Sequence, residues 1–201
     1  MTKPKLLLFD LGGVLVDYVG TAELMKLLSQ PYTRETLHDL WLQTDVWFQF
    51  EKGHVTPEEF AETMCRDWPL TCDAATFLSL FESWTTGLFP GAVELMAELK
   101  PKYRLAALSN SNLTHWRRNN EVLGVAALFE RAFSSHELGL RKPDIAIYHH
   151  ALRELAVEPH ETVFFDDLTD NIEAARSVGM TAYRVRGIDE LRAALIDNGL
   201  L

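Results

Sequence analysis

Short apolar runs alternate along this chain with longer stretches patterned for helices. The first run is Leu6-Leu7-Leu8-Phe9, and it ends in Asp10, Leu11, Gly12 and Gly13. Four apolar residues in a row, without polar alternation, predict a strand buried on both faces, as in a parallel sheet. Similar runs recur over residues 103–108, 132–134, 163–165 and 182–185. Between them, apolar residues at helical spacing predict helices over 92–100, 114–122 and 169–178, the last stopped by Gly179. Pro143 opens another, with Ile145, Tyr148, Leu152 and Leu155 on one stripe, and a terminal helix covers 188–198. Strands alternating with helices predict an α/β fold, a Rossmann-like parallel sheet with helices on both faces and right-handed crossovers.

The stretch between the first strand and its return carries little strand signal. Residues 21–29 place Leu24, Leu27 and Leu28 at helical spacing, and Pro31 breaks that helix. Residues 33–43 repeat the pattern with Leu37, Leu40 and Trp41. Thr56-Pro57-Glu58-Glu59 combines an N-cap, a first-turn proline and a capping-box glutamate. Asp73 caps a further helix carrying Phe77, Leu80, Phe81 and Trp84. An inserted helical cap over residues 18–88 is therefore expected, within a core formed by 1–17 and 89–201. Four tryptophans fall in the insert (Trp41, Trp47, Trp68 and Trp84), which a small bundle needs to bury enough area. Trp47-Phe48-Gln49-Phe50-Glu51-Lys52-Gly53 cannot bury every ring on one helix face, so it is the segment best suited to line a pocket.

Length and composition fit that picture. The 201 residues are 47% hydrophobic and 24% charged, enough for one core and a modest insert. The formal charge of -10 argues against a nucleic-acid partner. No stretch approaches the ~20 apolar residues of a membrane span, and Lys3-Pro4-Lys5 precedes too short an apolar run for a signal peptide. A cytoplasmic protein is expected. Cys65 and Cys72 match no common redox or zinc spacing and are read as reduced and partly buried. Oligomeric state is left open.

Four stretches carry candidate chemistry. Asp10 ends the first strand, and Leu105-Ala106-Ala107-Leu108 runs into Ser109-Asn110-Ser111-Asn112. Arg141-Lys142-Pro143 precedes a helix, and Thr162-Val163-Phe164-Phe165 ends in Asp166-Asp167. In an open parallel sheet the C-terminal strand ends share one crevice, so these groups should converge there. Singly, each has a plainer reading: Asp10 capping a turn, Ser109 and Asn110 capping a helix, Lys142 a solvated charge, the acidic pair a helix start. Together and in this order they resemble the haloacid dehalogenase-like hydrolase superfamily over nearly the whole chain. The resemblance is closest to a subgroup with an Asp-Leu-Gly first motif that includes a bacterial glucose-1-phosphate phosphatase.

That resemblance implies Asp10 as nucleophile, with Ser109 and Asn110 binding phosphate. Lys142 would stabilise the transferring group and neutralise Asp10. Asp167 would bind a metal directly and Asp166 through a metal-bound water, with Asp170 or Asn171 orienting such waters. A carboxylate attacking an anionic phosphoryl group needs a divalent cation; Mg²⁺ suits oxygen ligands, and the carbonyl of Gly12 is a further candidate ligand. The expected activity is a Mg²⁺-dependent phosphatase acting on a small phosphorylated metabolite, such as a sugar phosphate, through an aspartyl-phosphate. One position departs from the superfamily: its phosphatases usually carry an acid/base aspartate where this chain has Gly12, and such a group contributes on the order of 100- to 10,000-fold. A 2-haloacid dehalogenase, whose halide leaves without a proton, is the first alternative. Against it stand Asp166-Asp167 in place of the usual Ser-Asn, and no clear equivalent of the arginine that dehalogenases carry in the insert shortly after the nucleophile, the first insert arginine here being Arg34. A catalytically weak ligand-binding relative is the second alternative.

Overall fold

The computed structural model describes residues 3–33, 36, 37, 40 and 44–201; Arg34 and Trp41 lie outside these. Five parallel strands form the central sheet: β1 (Leu6–Phe9), β4 (Arg104–Ser109), β5 (Arg131–Ser134), β6 (Thr162–Asp166) and β7 (Thr181–Arg184), in the order β5-β4-β1-β6-β7. β1 is central, with Leu7 opposite Leu105 on one side and Val163 on the other. The chain moves outward through β4 and β5, then crosses to the far side for β6 and β7. The switch point therefore lies at the C-terminal end of β1, where open α/β sheets bind ligands.

Alternation along the strands divides the core into two layers. Leu7, Phe9, Leu105, Ala107 and Phe165 face one side, under α5 (Ala92–Leu99), α6 (Leu113–Glu121) and α10 (Gly187–Asp197). Leu6, Leu8, Ala106, Leu108 and Phe164 face the other, under α8 (Ile145–Leu155) and α9 (Thr169–Ser177). Both faces are apolar, which explains the unbroken hydrophobic runs. α8 starts at Ile145, not at Pro143 as the sequence suggests. Asp144 is the N-cap, its side chain accepting from Ala146 N at 2.9 Å, so Pro143 stays outside the helix.

The inserted segment holds α1 (Gly20–Leu27), α2 (Asp45–Glu51), α3 (Pro57–Asp67) and α4 (Ala74–Glu82). The capping box at Thr56 is formed in both directions, and Asp73 caps α4. These helices bury their own aromatic cluster, in which Phe50 stacks on Phe60 at 4.4 Å and Phe81 packs on Trp84 at 5.0 Å. Trp47, Trp68 and Trp84 are all buried there.

Sequence patterning misses the short elements, among them the helices α2 (Asp45–Glu51) and α7 (Ser135–Leu138) and two strands. β2 (Val16–Tyr18) and β3 (Thr85–Leu88) pair antiparallel in a separate two-stranded ribbon where the chain leaves and re-enters the sheet layer. Strands of three and four residues are too short to show a period, and their partners are about 70 residues apart in the chain. Among the described residues no helix is long and apolar enough to cross a membrane.

Candidate active site

Asp10 follows β1 directly, and its N–H donates to the Phe165 carbonyl at 2.8 Å, extending the sheet by one residue. The chain then turns tightly, because the N–H groups of Val14, Leu15 and Val16 all converge on the Leu11 carbonyl. The two glycines in this turn are not equivalent. Gly13 has φ +74°, and a Cβ there would sit 3.0 Å from Asp167 Oδ2, so both backbone and space demand glycine. A Cβ on Gly12 would meet nothing within 4 Å.

Lys142 is the hub of the site. It is 1% exposed, and its Nζ lies 2.8 Å from Asp10 Oδ1 and 2.6 Å from Asp166 Oδ2. Asn110 fixes the backbone that carries it: the amide nitrogen donates to the Lys142 carbonyl and the amide oxygen accepts from Lys142 N, both at 2.8 Å. The Asn110 side chain is thus committed to positioning Lys142. Ser109 ends β4 and is buried.

The two neighbouring aspartates differ sharply. Asp166 is fully buried and accepts four hydrogen bonds from three donors: Lys142 Nζ, Leu168 N at 2.9 Å, and Asn171 Nδ2 at 2.9 Å and 3.0 Å to its two oxygens. Asp167 is half-buried and faces Gly13. Oxygens of Asp10, Asp166 and Asp167 all lie within 4.8 Å of one another. Asn171 is buried, whereas Asp170 is exposed.

Three carboxylates against one ammonium set the electrostatics. Burial, with Asp166 adding to it, pushes the Asp10 carboxyl up to about 7 despite the opposing pull of Lys142. Burial alone would discharge Lys142, but Asp10 and Asp166 overcome it and hold the ammonium above its ordinary range. Burial, followed by repulsion from Asp166, also raises Asp167.

Above this cluster opens a cavity of about 620 Å³. Its floor is Asp10, Gly12, Ser109, Lys142 and Asp167; its far wall comes from the ribbon, the insert and α6. Of the aromatic stretch singled out in the sequence, Trp47 and Glu51 line the cavity, while Phe50 turns into the insert core. Arg141 Nε donates to Glu51 Oε2 at 2.9 Å, and the guanidinium lies 4.6 Å over the Phe48 ring. The sequence gives no sign of Tyr18, Thr85, His115 and Asn119, which complete the wall.

A family model described as haloacid dehalogenase-like hydrolase matches residues 4–179. Drimenol cyclase drtB of Aspergillus calidoustus is 29% identical over 198 residues, covering 94% of this chain, which spans about a third (35%) of that protein. Sesquiterpene phosphatase astK of Aspergillus oryzae is 29% identical over 181 residues, covering 88% of this chain and 87% of that protein. D-ribitol-5-phosphate phosphatase of Bacteroides thetaiotaomicron is 24% identical over 191 residues, covering 90% and 91%. A HAD family enzyme of Bacteroides thetaiotaomicron, solved as a magnesium complex, superposes with a TM-score of 0.75 at 26% identity, covering 92% of this chain and 94% of the other.

Proposed function

The chain belongs to the haloacid dehalogenase-like hydrolases, and from that membership we propose that it is a Mg²⁺-dependent phosphatase of small phosphorylated metabolites. The observation that carries this reading is Lys142 held between Asp10 and Asp166, with Asp167 completing a cluster of oxygens within 4.8 Å. Three carboxylates and one ammonium leave a net charge of -2, which one divalent cation cancels. All-oxygen donors of this kind suit Mg²⁺. Asp10, Asp167 and the carbonyl of Gly12 are the groups with room to hold it. Asp166, already accepting four hydrogen bonds from three donors, would act on it only through a metal-bound water. The bound ion supplies charge neutralisation at the phosphoryl oxygens.

Asp10 attacks phosphorus; the bond from phosphorus to the ester oxygen breaks, and its electron pair leaves with the alcohol. Because Gly12 has no side chain, the alcohol takes its proton from water. A second water then attacks phosphorus of the aspartyl-phosphate, releasing phosphate and regenerating the Asp10 carboxylate. Lys142 offsets the charge that builds on the phosphoryl oxygens. Ser109 binds the phosphate through its hydroxyl and Asn110 through its backbone N–H, its amide being held by Lys142. Residues 18–88 act as the cap over a core of 1–17 and 89–201, anchored by the pair of Glu51 and Arg141. The unpaired Cys65 and Cys72 agree with a cytoplasmic site of action.

The test is phosphate release from p-nitrophenyl phosphate with Mg²⁺ and with chelator. Turnover that needs the metal and disappears in Asp10→Asn is expected. Metal-independent halide release from 2-chloropropionate, without phosphate release, would replace this reading with a dehalogenase.

A further inference from the structure

We infer that Tyr18 stands in for the side chain that Gly12 lacks: its hydroxyl passes a proton, through one water, to the departing alcohol. The inference rests on the phosphatase reading and adds a positioning residue to it. β2 grows directly out of the nucleophile turn, with Gly12 bridged to Val16 and Gly13 N donating to the Val16 carbonyl at 2.9 Å. Tyr18 follows two residues later, ~7 Å along an extended chain. An offset of that size calls for a bridging water rather than direct contact with an ester at Asp10. Tyr18 lines the cavity that holds Asp10 and is 37% exposed, whereas Val16, Trp47 and His115 on the same wall are buried. Its ring is therefore the one that water and substrate can reach.

The phenol is held in place while its proton stays free. A Cβ on Gly20 would collide with Tyr18 Oη and Cζ, so the glycine that opens α1 is the seat of the hydroxyl. Gly20 does not have a left-handed φ, so space and not backbone requires glycine there. The ring of Tyr18 meets that of His115 edge-on at 5.6 Å. Among the described residues no group hydrogen-bonds the hydroxyl. Burial, with the charge of Glu51 adding to it, holds the phenol above its ordinary range, so the proton is on the oxygen at neutral pH. In its ordinary setting a phenol still ionises about five units below water, and so protonates an alkoxide more readily than bulk water does. As the bond from phosphorus to the ester oxygen breaks, that oxygen takes a proton from the bridging water, which takes one from Tyr18 Oη. When the second water attacks the aspartyl-phosphate, its proton returns by the same route and restores the phenol.

The test is the ratio of kcat/KM for n-pentyl phosphate, whose alcohol must be protonated, to that for p-nitrophenyl phosphate, whose leaving group needs no proton. kcat/KM reports the step in which the alcohol leaves and not the later hydrolysis. In Tyr18→Phe with Mg²⁺, which keeps the ring against His115, the ratio should fall by at least about tenfold, below the range of a direct general acid because a water intervenes. Because it is a ratio, loss of folded protein does not mimic the effect. Gly20→Ala keeps the hydroxyl but pushes it off its seat, and should lower the same ratio. A ratio unmoved in either variant, whether both esters slow together or neither does, would overturn the relay, as would a wild type that turns over p-nitrophenyl phosphate alone. No phosphate from either ester in wild type would sink the phosphatase reading and the relay with it; steady turnover of p-nitrophenyl phosphate beside an unmoved ratio sinks the relay alone.

Discussion

Lowering the pH should destabilise this protein through one histidine. His115 is buried on α6, its ring stacked on Phe81 at 4.2 Å. Its surroundings demand the neutral ring. Asn112 caps α6 by accepting from His115 N at 3.0 Å, which fixes the amide so that its NH₂ faces His115 Nδ1 at 3.2 Å. Nδ1 must therefore accept, and Nε2–H donates to the Phe81 carbonyl at 2.7 Å. A second proton on Nδ1 would set donor against donor. Burial, with repulsion from Arg118, pushes the imidazole down to about 4, the Phe81 carbonyl offsetting only part of this, whereas the unfolded chain takes the proton near 6.5. The folded form thus resists a proton that the unfolded form accepts. The stability is fully present above pH 6.5 and is lost as the pH falls from there towards 4. Between pH 7.5 and pH 5 the loss from this residue is about 2 kcal/mol. Urea denaturation of the chelated protein across that range measures it, with His115→Gln as control, since glutamine can still donate to Phe81 but does not titrate. Wild type should lose about 2 kcal/mol more than the variant. Parallel loss in the two proteins would refute the argument, as would an NMR titration showing His115 protonated near pH 6.5.

Lys142→Met strands Asp10 and Asp166 in the interior, so the metal-free protein should lose about 3–5 kcal/mol in urea denaturation; an unchanged midpoint would count against the buried ion cluster. Gly12→Asp meets open space at Cβ and should fold normally. It should raise phosphate release from unactivated alkyl esters by on the order of 100-fold while barely changing p-nitrophenyl phosphate, whose leaving group needs no proton; equal effects on both would refute a missing acid. Gly53 has φ +71°, and a Cβ there would collide with the His136 carbonyl oxygen, where the end of α2 meets the core. Gly53→Ala should cost about 1–3 kcal/mol, read as a fall in Tm, and no fall would show that this seat is soft.

What the sequence shows plainly is whatever depends on neighbours in the chain. The five sheet strands announce themselves because burial on both faces leaves no room for polar alternation. The capping box of α3 is legible because its partners, Thr56 and Glu59, are three residues apart. The β2–β3 ribbon is not, since neither short strand has a signature without the other. Arg141 looks like a companion of Lys142, yet the two point to different tasks. Lys142 reaches into the carboxylate cluster, whereas Arg141 covers Phe48 and pairs with Glu51 across 90 residues of chain.

Asp166-Asp167 shows where the boundary falls. As letters the two are interchangeable, and either can end a strand or start a helix. The pleat separates them, because successive side chains of an extended chain point to opposite faces. Asp166, the last residue of β6, is carried inward, and the turn into α9 then brings Leu168 N and Asn171 to it. With Lys142 added, each of its oxygens accepts two hydrogen bonds. Asp167, one residue later, projects to the side of Gly13, whose lack of a Cβ is what leaves it space. The different surroundings of the pair thus come from the place where β6 ends relative to a glycine turn more than 150 residues earlier. No spacing rule along the chain contains that relation.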